Sequence, residues 1–233
     1  MKSVAICSFS ASVIPQKLIF KKIVNWMLKR ISDYDVQRIC ANQVIVDLSG
    51  IVKELVENSL DAQSTSIEIR LSDYGSLGIE VSDNGSGIKE VDFDALAKRN
   101  HTSKIDAFDD LATVCTFGFR GEALHALCTI ARLNVTTATA DTAPKGFSVQ
   151  YASGGEILTR RDIARCQGTT VQVSDIFYNL PVRQKEFKKN IRKEFSKCVE
   201  LMQHYATSCF GARFTMANVS SKGYLIKRVS WIK

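Results

Sequence analysis

Disulfide and metal-binding motifs are the first things this sequence lacks. Its seven cysteines stand at 7, 40, 115, 128, 166, 198 and 209, and no two have C-x-x-C spacing. An odd, scattered set in a chain of 233 residues reads as free thiols in a reducing compartment and excludes a disulfide scaffold. The three histidines, His101, His125 and His204, lie far apart, and none belongs to a metal-ligand motif. No uncharged apolar run reaches the roughly 18 residues of a membrane-spanning helix, so no membrane partner is expected. Charge of one sign is not extreme: 31 Lys and Arg against 24 Asp and Glu leave +7. That balance permits contact with nucleic acid without requiring it. What is there is an ordinary globular composition, 45% hydrophobic, long enough for one large domain or two small ones.

A more local absence marks the stretch G-I-V-K-E-L-V-E-N-S-L-D-A, residues 50–62. At helical period, Ile51, Val52, Leu55, Val56 and Leu60 form a broad apolar side. Glu54, Glu57, Asn58 and Asp61 fall at i, i+3, i+4 and i+7, one narrow stripe. The stripe has no basic member, and Lys53 is expected to point elsewhere. Clustered carboxylates repel one another, so such a stripe suits a site where a cation or a water to be activated sits against it. A divalent metal with a phosphate fits, because hard cations take carboxylate and amide oxygens. An acidic solvent face is the competing reading.

The first thirty residues fit nothing downstream. Ser3 to Gln16 carries no charge, and Lys17 to Arg30 mixes apolar residues with basic ones. A weak signal sequence, a basic amphipathic helix, a peripheral helix and a non-native extension all remain open. From Ile31 the pattern becomes regular, with a short helix through Ile39 and then the acidic helix. Ile67, Ile69 and Leu71 alternate with polar residues, as do Ile79 and Val81, and Asp73-Tyr74-Gly75 turns the chain between them. The result is an antiparallel hairpin under the helix. Its second strand delivers Asp83 into D-N-G-S-G-I, where Gly85 and Gly87 allow a close backbone approach. A carboxylate at a strand end suits a donor such as an exocyclic amine; the plainer reading is a tight turn capped by Asp83.

Thr102, Ser103 and Lys104 are donors of the kind that contact phosphate, and Gly118-Phe119-Arg120-Gly121 runs into a helix starting with Glu122, Ala123 and Leu124. The polar connection from Asn100 to Gly121, with a helical segment around 105–111, reads as a mobile lid. Strands follow at Leu133–Thr137, Phe147–Tyr151 and Gly168–Val173, with Val171 and Val173 inward, and Gly154-Gly155 marks a hairpin turn. A long helix runs from Arg183 to about Cys209. Its first half carries Arg183, Lys185, Lys188, Lys189, Arg192, Lys193 and Lys197. That face suits either nucleic acid or plain solvent.

Four pieces thus occur in order: E-x-x-x-N, D-x-G-x-G, G-F-R-G-E-A-L and G-T-T-V. The set resembles the GHKL ATPases, the superfamily of gyrase-type topoisomerases, histidine kinases and MutL. V-K-E-L-V-E-N-S-L-D-A, T-S-K-I and F-Y-N-L-P-V-R-Q-K-E-F resemble MutL mismatch-repair proteins in particular. Q-R-I-C-A-N-Q-V and K-E-F-K-K-N-I-R-K-E are similar to the eukaryotic post-meiotic-segregation type. The resemblance runs from about Ile31 to Gly223.

It implies the Bergerat fold, an α/β sandwich with a mixed, mostly antiparallel sheet, and it implies ATP and Mg2+ as ligands. Glu54 resembles the general base, and Asn58 the magnesium ligand beside a nucleotide-contacting Asp61. Asp83 resembles the adenine reader, with Gly85 and Gly87 passing close to the base and Thr170 completing the pocket. Thr102, Ser103 and Lys104 would belong to the lid. Gly118, Phe119, Arg120, Gly121, Glu122, Ala123 and Leu124 would form the phosphate-binding loop and helix start. One departure is D-A-Q-S where the family has D-A-G-A, which places Gln63 at a helix end that favours glycine. The expected organisation is an N-terminal extension over 1–30, an ATPase domain over 31–210, and the start of a second domain over 211–233. No endonuclease segment is expected within this length. The family's further γ-phosphate lysine, from the second domain, is also expected to be missing, slowing turnover. Partners implied are a MutL-homologue subunit, a MutS-type complex and weak, non-specific DNA contact, in the nucleus. A nucleotide-gated interaction module that hydrolyses poorly is the alternative to an ATPase.

Overall fold

Alternation of apolar and polar residues at period two builds the framework. A computed structural model describes residues 29–102, 104, 116–118 and 121–231. Among them, eight strands form one sheet: β1 (Ser66–Ser72), β2 (Gly78–Asp83), β3 (Arg132–Ala138), β4 (Lys145–Tyr151), β5 (Ile157–Ala164), β6 (Gly168–Ser174), β7 (Arg213–Val219) and β8 (Leu225–Trp231). Their spatial order is β5-β4-β3-β6-β2-β1-β7-β8. Only β1 and β7 run parallel, and every other neighbouring pair is antiparallel. The mixed, mostly antiparallel sheet is the one expected.

One face of the sheet is apolar and covered. Ile67, Ile69, Leu71, Ile79, Val81, Leu133, Val135, Val173, Phe214 and Met216 are each at most 2% exposed. The helices are α1 (Asp33–Val44), α2 (Leu48–Asp61), the single turn α3 (Phe93–Leu96), α4 (Ala123–Ile130) and α5 (Pro181–Ser208). Of these, α2 packs on α5 and β2, α4 on β3, and α5 on β7. The opposite face carries a polar ladder in which Asn134 donates to Gln172 at 3.1 Å and Gln172 to Glu80 at 2.8 Å. This is the two-layer sandwich, with water on the far side of the sheet.

The start of α5 clamps the α1–α2 connection. Arg183 donates to the carbonyls of Ile45, at 2.6 Å, and Val46, and its guanidinium lies 4.2 Å from the centre of the Phe177 ring. So the arginine of F-Y-N-L-P-V-R is a structural tie, and the basic face of α5 is smaller than its sequence suggests. Lys197 is likewise paired, to Asp47 at 3.2 Å and Glu194 at 2.9 Å.

At the C-terminal end, β7 and β8 extend the same sheet beside β1. The hairpin turn at Gly154-Gly155 leads into β5, an edge strand that the sequence reading did not identify. Of the expected N-terminal extension, residues 1–28 lie outside the described residues.

Candidate functional site

Helix α2 is fixed on three sides. Asp47 caps its start, accepting from Gly50 N at 2.8 Å. Ile51, Val52, Leu55 and Val56 are at most 2% exposed, which locks its rotation against the sheet. Its end turns sharply at Gln63, whose φ is 60°, so the left-handed position is kept without glycine. Fixed this way, Glu54, Asn58 and Asp61 face an open cleft of about 1490 Å³.

The stripe is not devoid of base, contrary to the sequence reading. Lys53 Nζ lies 2.7 Å from Glu57 Oε2 and 3.5 Å from Glu54 Oε1. Burial alone would lower the Lys53 ammonium, but its hydrogen bond to Glu57 and the charges of Glu54 and Glu57 win and raise it. Glu57 is 6% exposed, and its other oxygen accepts from Tyr205 Oη at 2.6 Å. Asp61 is also engaged, accepting from Lys104 Nζ, from Phe117 N at 2.9 Å and from Gly118 N at 3.1 Å. Lys104 Nζ also donates to Asn58 Oδ1 at 3.1 Å. An ammonium has only donors, so that contact shows the Asn58 oxygen facing the cleft cluster.

At the other end of the cleft, Asp83 is held by three donors. Its Oδ1 accepts from Gly85 N at 2.9 Å and Thr169 N at 3.1 Å, and its Oδ2 from Ser59 Oγ at 2.9 Å. An ionised carboxylate offers about four acceptor positions, so one remains for a donor entering the cleft. Thr169, not Thr170, lies on the cleft side of β6. Thr170 points to the opposite face, where its hydroxyl lies 2.8 Å from Ser82 Oγ. Of the two threonines, the structure brings Thr169 to Asp83, its N–H donating to Asp83 Oδ1 at 3.1 Å.

The glycines divide in the same way. Gly87 lines the cleft with φ +73°, and a Cβ there would meet Ala138 O at 2.1 Å. Gly85 is needed by packing instead: a Cβ would lie 2.7 Å from Ala62 O at the end of α2. Thr102, Lys104, Gly118, Gly121, Glu122, Ala123 and Leu124 all border the cleft. The expected helix around 105–111, and Ser103, Phe119 and Arg120, lie outside the described residues.

Residues 46–161 match the family described as histidine kinase-, DNA gyrase B-, and HSP90-like ATPase. Over 196 residues, 84% of the chain, it is 47% identical to DNA mismatch repair protein PMS1 of Saccharomyces cerevisiae and 45% identical to mismatch repair endonuclease PMS2 of Homo sapiens. Among solved structures it resembles the N-terminal domain of a DNA repair protein, with 44% identity and a TM-score of 0.73, over 84% of this chain and 56% of that one. The ADP-bound ATPase domain of Aquifex aeolicus MutL is similar at 28% identity and a TM-score of 0.57, over 79% and 64%.

The chain belongs to the MutL mismatch-repair family.

It spans 22% of the yeast relative and 23% of the human one. The described domain is a MutL-type ATPase domain. The MutL-type stripe also fits a hard cation by the chemistry of its oxygens. Asn58 Oδ1 and the Asp61 carboxylate converge on one positive group, the Lys104 ammonium. Among the described residues no three His, Cys, Asp or Glu side chains gather as a metal cage. A magnesium ion there would take few protein ligands and rely on phosphate and water oxygens, as that ion commonly does.

Sequence reasoning missed Ser59, Thr169, Lys53 and Tyr205. For Thr169 the signal was available: strand alternation groups it with Val171 and Val173, the residues read as inward. For Tyr205, 148 residues from Glu57 along the chain, no local signal exists.

Proposed function

We propose that this chain binds Mg-ATP in the α2 cleft and hydrolyses it as the nucleotide-driven part of a mismatch-repair protein. The observation that carries the reading is the shared wall: Glu54, Asn58 and Asp83, from α2 and β2, face one cleft, with the Asp83 carboxylate immobilised and one acceptor position left. Asp83 takes the exocyclic amine of adenine. Asn58, with Asp61 near by, would hold the metal. Magnesium, when bound, neutralises charge on the phosphate oxygens. Gly121 and the first turn of α4 would offer backbone N–H groups to the phosphates, with Thr102, Lys104 and Gly118 bordering the same cleft. Glu54 takes a proton from the attacking water as oxygen bonds to the γ-phosphorus. The bond from that phosphorus to the bridging oxygen breaks, and its electron pair leaves with ADP.

Nuclear location, a MutL-homologue partner subunit, a MutS-type complex and weak DNA contact belong to the same reading. Their support is the likeness to the eukaryotic PMS1 and PMS2 repair proteins. Calorimetry of ATP on the purified chain tests the base-reading end. Asp83→Asn must turn an NH2 group toward one of three existing donors or toward the base. The loss should be about 1.5–3 kcal/mol of binding, the worth of a charge-assisted hydrogen bond. Wild-type affinity in the variant would remove Asp83 from the site.

A further inference from the structure

Lys53 reaches Glu54 against helical geometry. Adjacent side chains on a helix point about 100° apart and do not face each other. Glu54 and Glu57, three apart, share a face, and Lys53 stands four before Glu57, within reach of it. The 2.7 Å contact to Glu57 Oε2 draws the ammonium across, leaving it 3.5 Å from Glu54 Oε1. Glu57 can do this because its side chain is itself fixed. It is buried, and its second oxygen is held by Tyr205 Oη at 2.6 Å. Tyr205 sits near the end of α5, and its ring packs edge-on against Phe117, with centroids 6.3 Å apart, beside the loop held by Asp61. Both oxygens of a buried carboxylate thus serve one path, from α5 to the side chain that must orient water.

We propose that Tyr205, Glu57 and Lys53 are positioning residues for Glu54, acting in series: the hydroxyl fixes Glu57, Glu57 places the Lys53 ammonium, and the ammonium sets the orientation of the Glu54 carboxylate. This rests on the ATPase reading. The Lys53 side chain is 45% exposed, so it contributes little to the core, and its replacement leaves the fold intact. A mere tie between α5 and α2 would affect unfolding and leave the chemical step alone.

The test is a double-mutant cycle on the purified chain, with single-turnover hydrolysis and ATP affinity measured for each member. Lys53→Met keeps an unbranched side chain one atom shorter and removes its charge. Tyr205→Phe keeps the ring against Phe117 and removes the hydroxyl. Each should slow hydrolysis about tenfold, the scale of a displaced catalytic group, with affinity changed less than about twofold. The double variant should be no slower than the slower single one, and Lys53→Arg should recover most of the rate. Rates that multiply to a loss of about a hundredfold, an Arg variant as slow as the Met one, or a Tyr205→Phe that lowers thermal stability but not rate would each overturn the series. Turnover that survives Glu54→Ala sinks the ATPase reading itself; turnover that needs Glu54 but ignores Lys53→Met sinks only the relay.

Discussion

Thr169 and Thr170 differ by one position and by a whole face of the sheet. Thr169 gives its N–H to Asp83 and packs its hydroxyl 3.0 Å from Thr137 Oγ1, inside the cleft wall. Thr170 pairs with Ser82 across the ladder on the other side. Only the first lines the cleft. Thr170→Val, close in shape to the residue it replaces, should therefore keep ATP affinity within about twofold, the change expected of a hydroxyl outside the site. Equilibrium binding of the variant checks this, and a tenfold loss would restore Thr170 to the pocket. The G-T-T-V motif marks a cleft-lining strand, and strict alternation groups Thr169 with the inward Val171 and Val173. Lys53 was misread for a different reason. Helical spacing gives the direction of a side-chain root, while a lysine's four methylenes let its head follow the nearest carboxylate.

At the scale of the element, α2 was legible because three periodic signals agree in it: apolar residues at helical spacing, one acid stripe and a terminating turn. Its first residue was not, because the helix starts at Leu48 with Asp47 as its cap, two residues before the pattern becomes clear. Burial alone would raise the Asp47 carboxyl, but hydrogen bonds from Gly50, Ser49 and Lys197 outweigh it and hold the group below its ordinary value. A depressed carboxyl adds stability above its unfolded pKa of about 4, and that stability is lost as pH falls through the folded value. Asp47→Ala should thus cost about 0.5–2 kcal/mol in urea unfolding near neutral pH, the usual worth of an N-cap, with the gap from wild type narrowing below about pH 4. A gap that stays constant down to the acid limit would mean that the charge contributes nothing. Strand β5 was illegible because Leu158–Ile163 are all exposed, so burial leaves no alternation to read. The place of β7 in this sheet was not legible because its partner β1 lies 147 residues earlier, a parallel pairing that no local pattern signals.

For the whole molecule, the sheet and α2 bring together residues from distant parts of the chain into one wall that holds both Asp83 and Glu54. The order of the motifs made that wall recognisable, while the contacts that tension it, from Tyr205, Arg183 and Thr169, come from long-range packing. The central claim is that Glu54 performs chemistry and does not hold nucleotide. The most direct measurement is single-turnover ATP hydrolysis by the purified chain beside Glu54→Ala, with ATP affinity determined for both. The account predicts equal affinities and a rate lower by about 10²–10⁴, the usual contribution of a positioned base. Equal rates, or a rate loss matched by an equal loss of affinity, would contradict it.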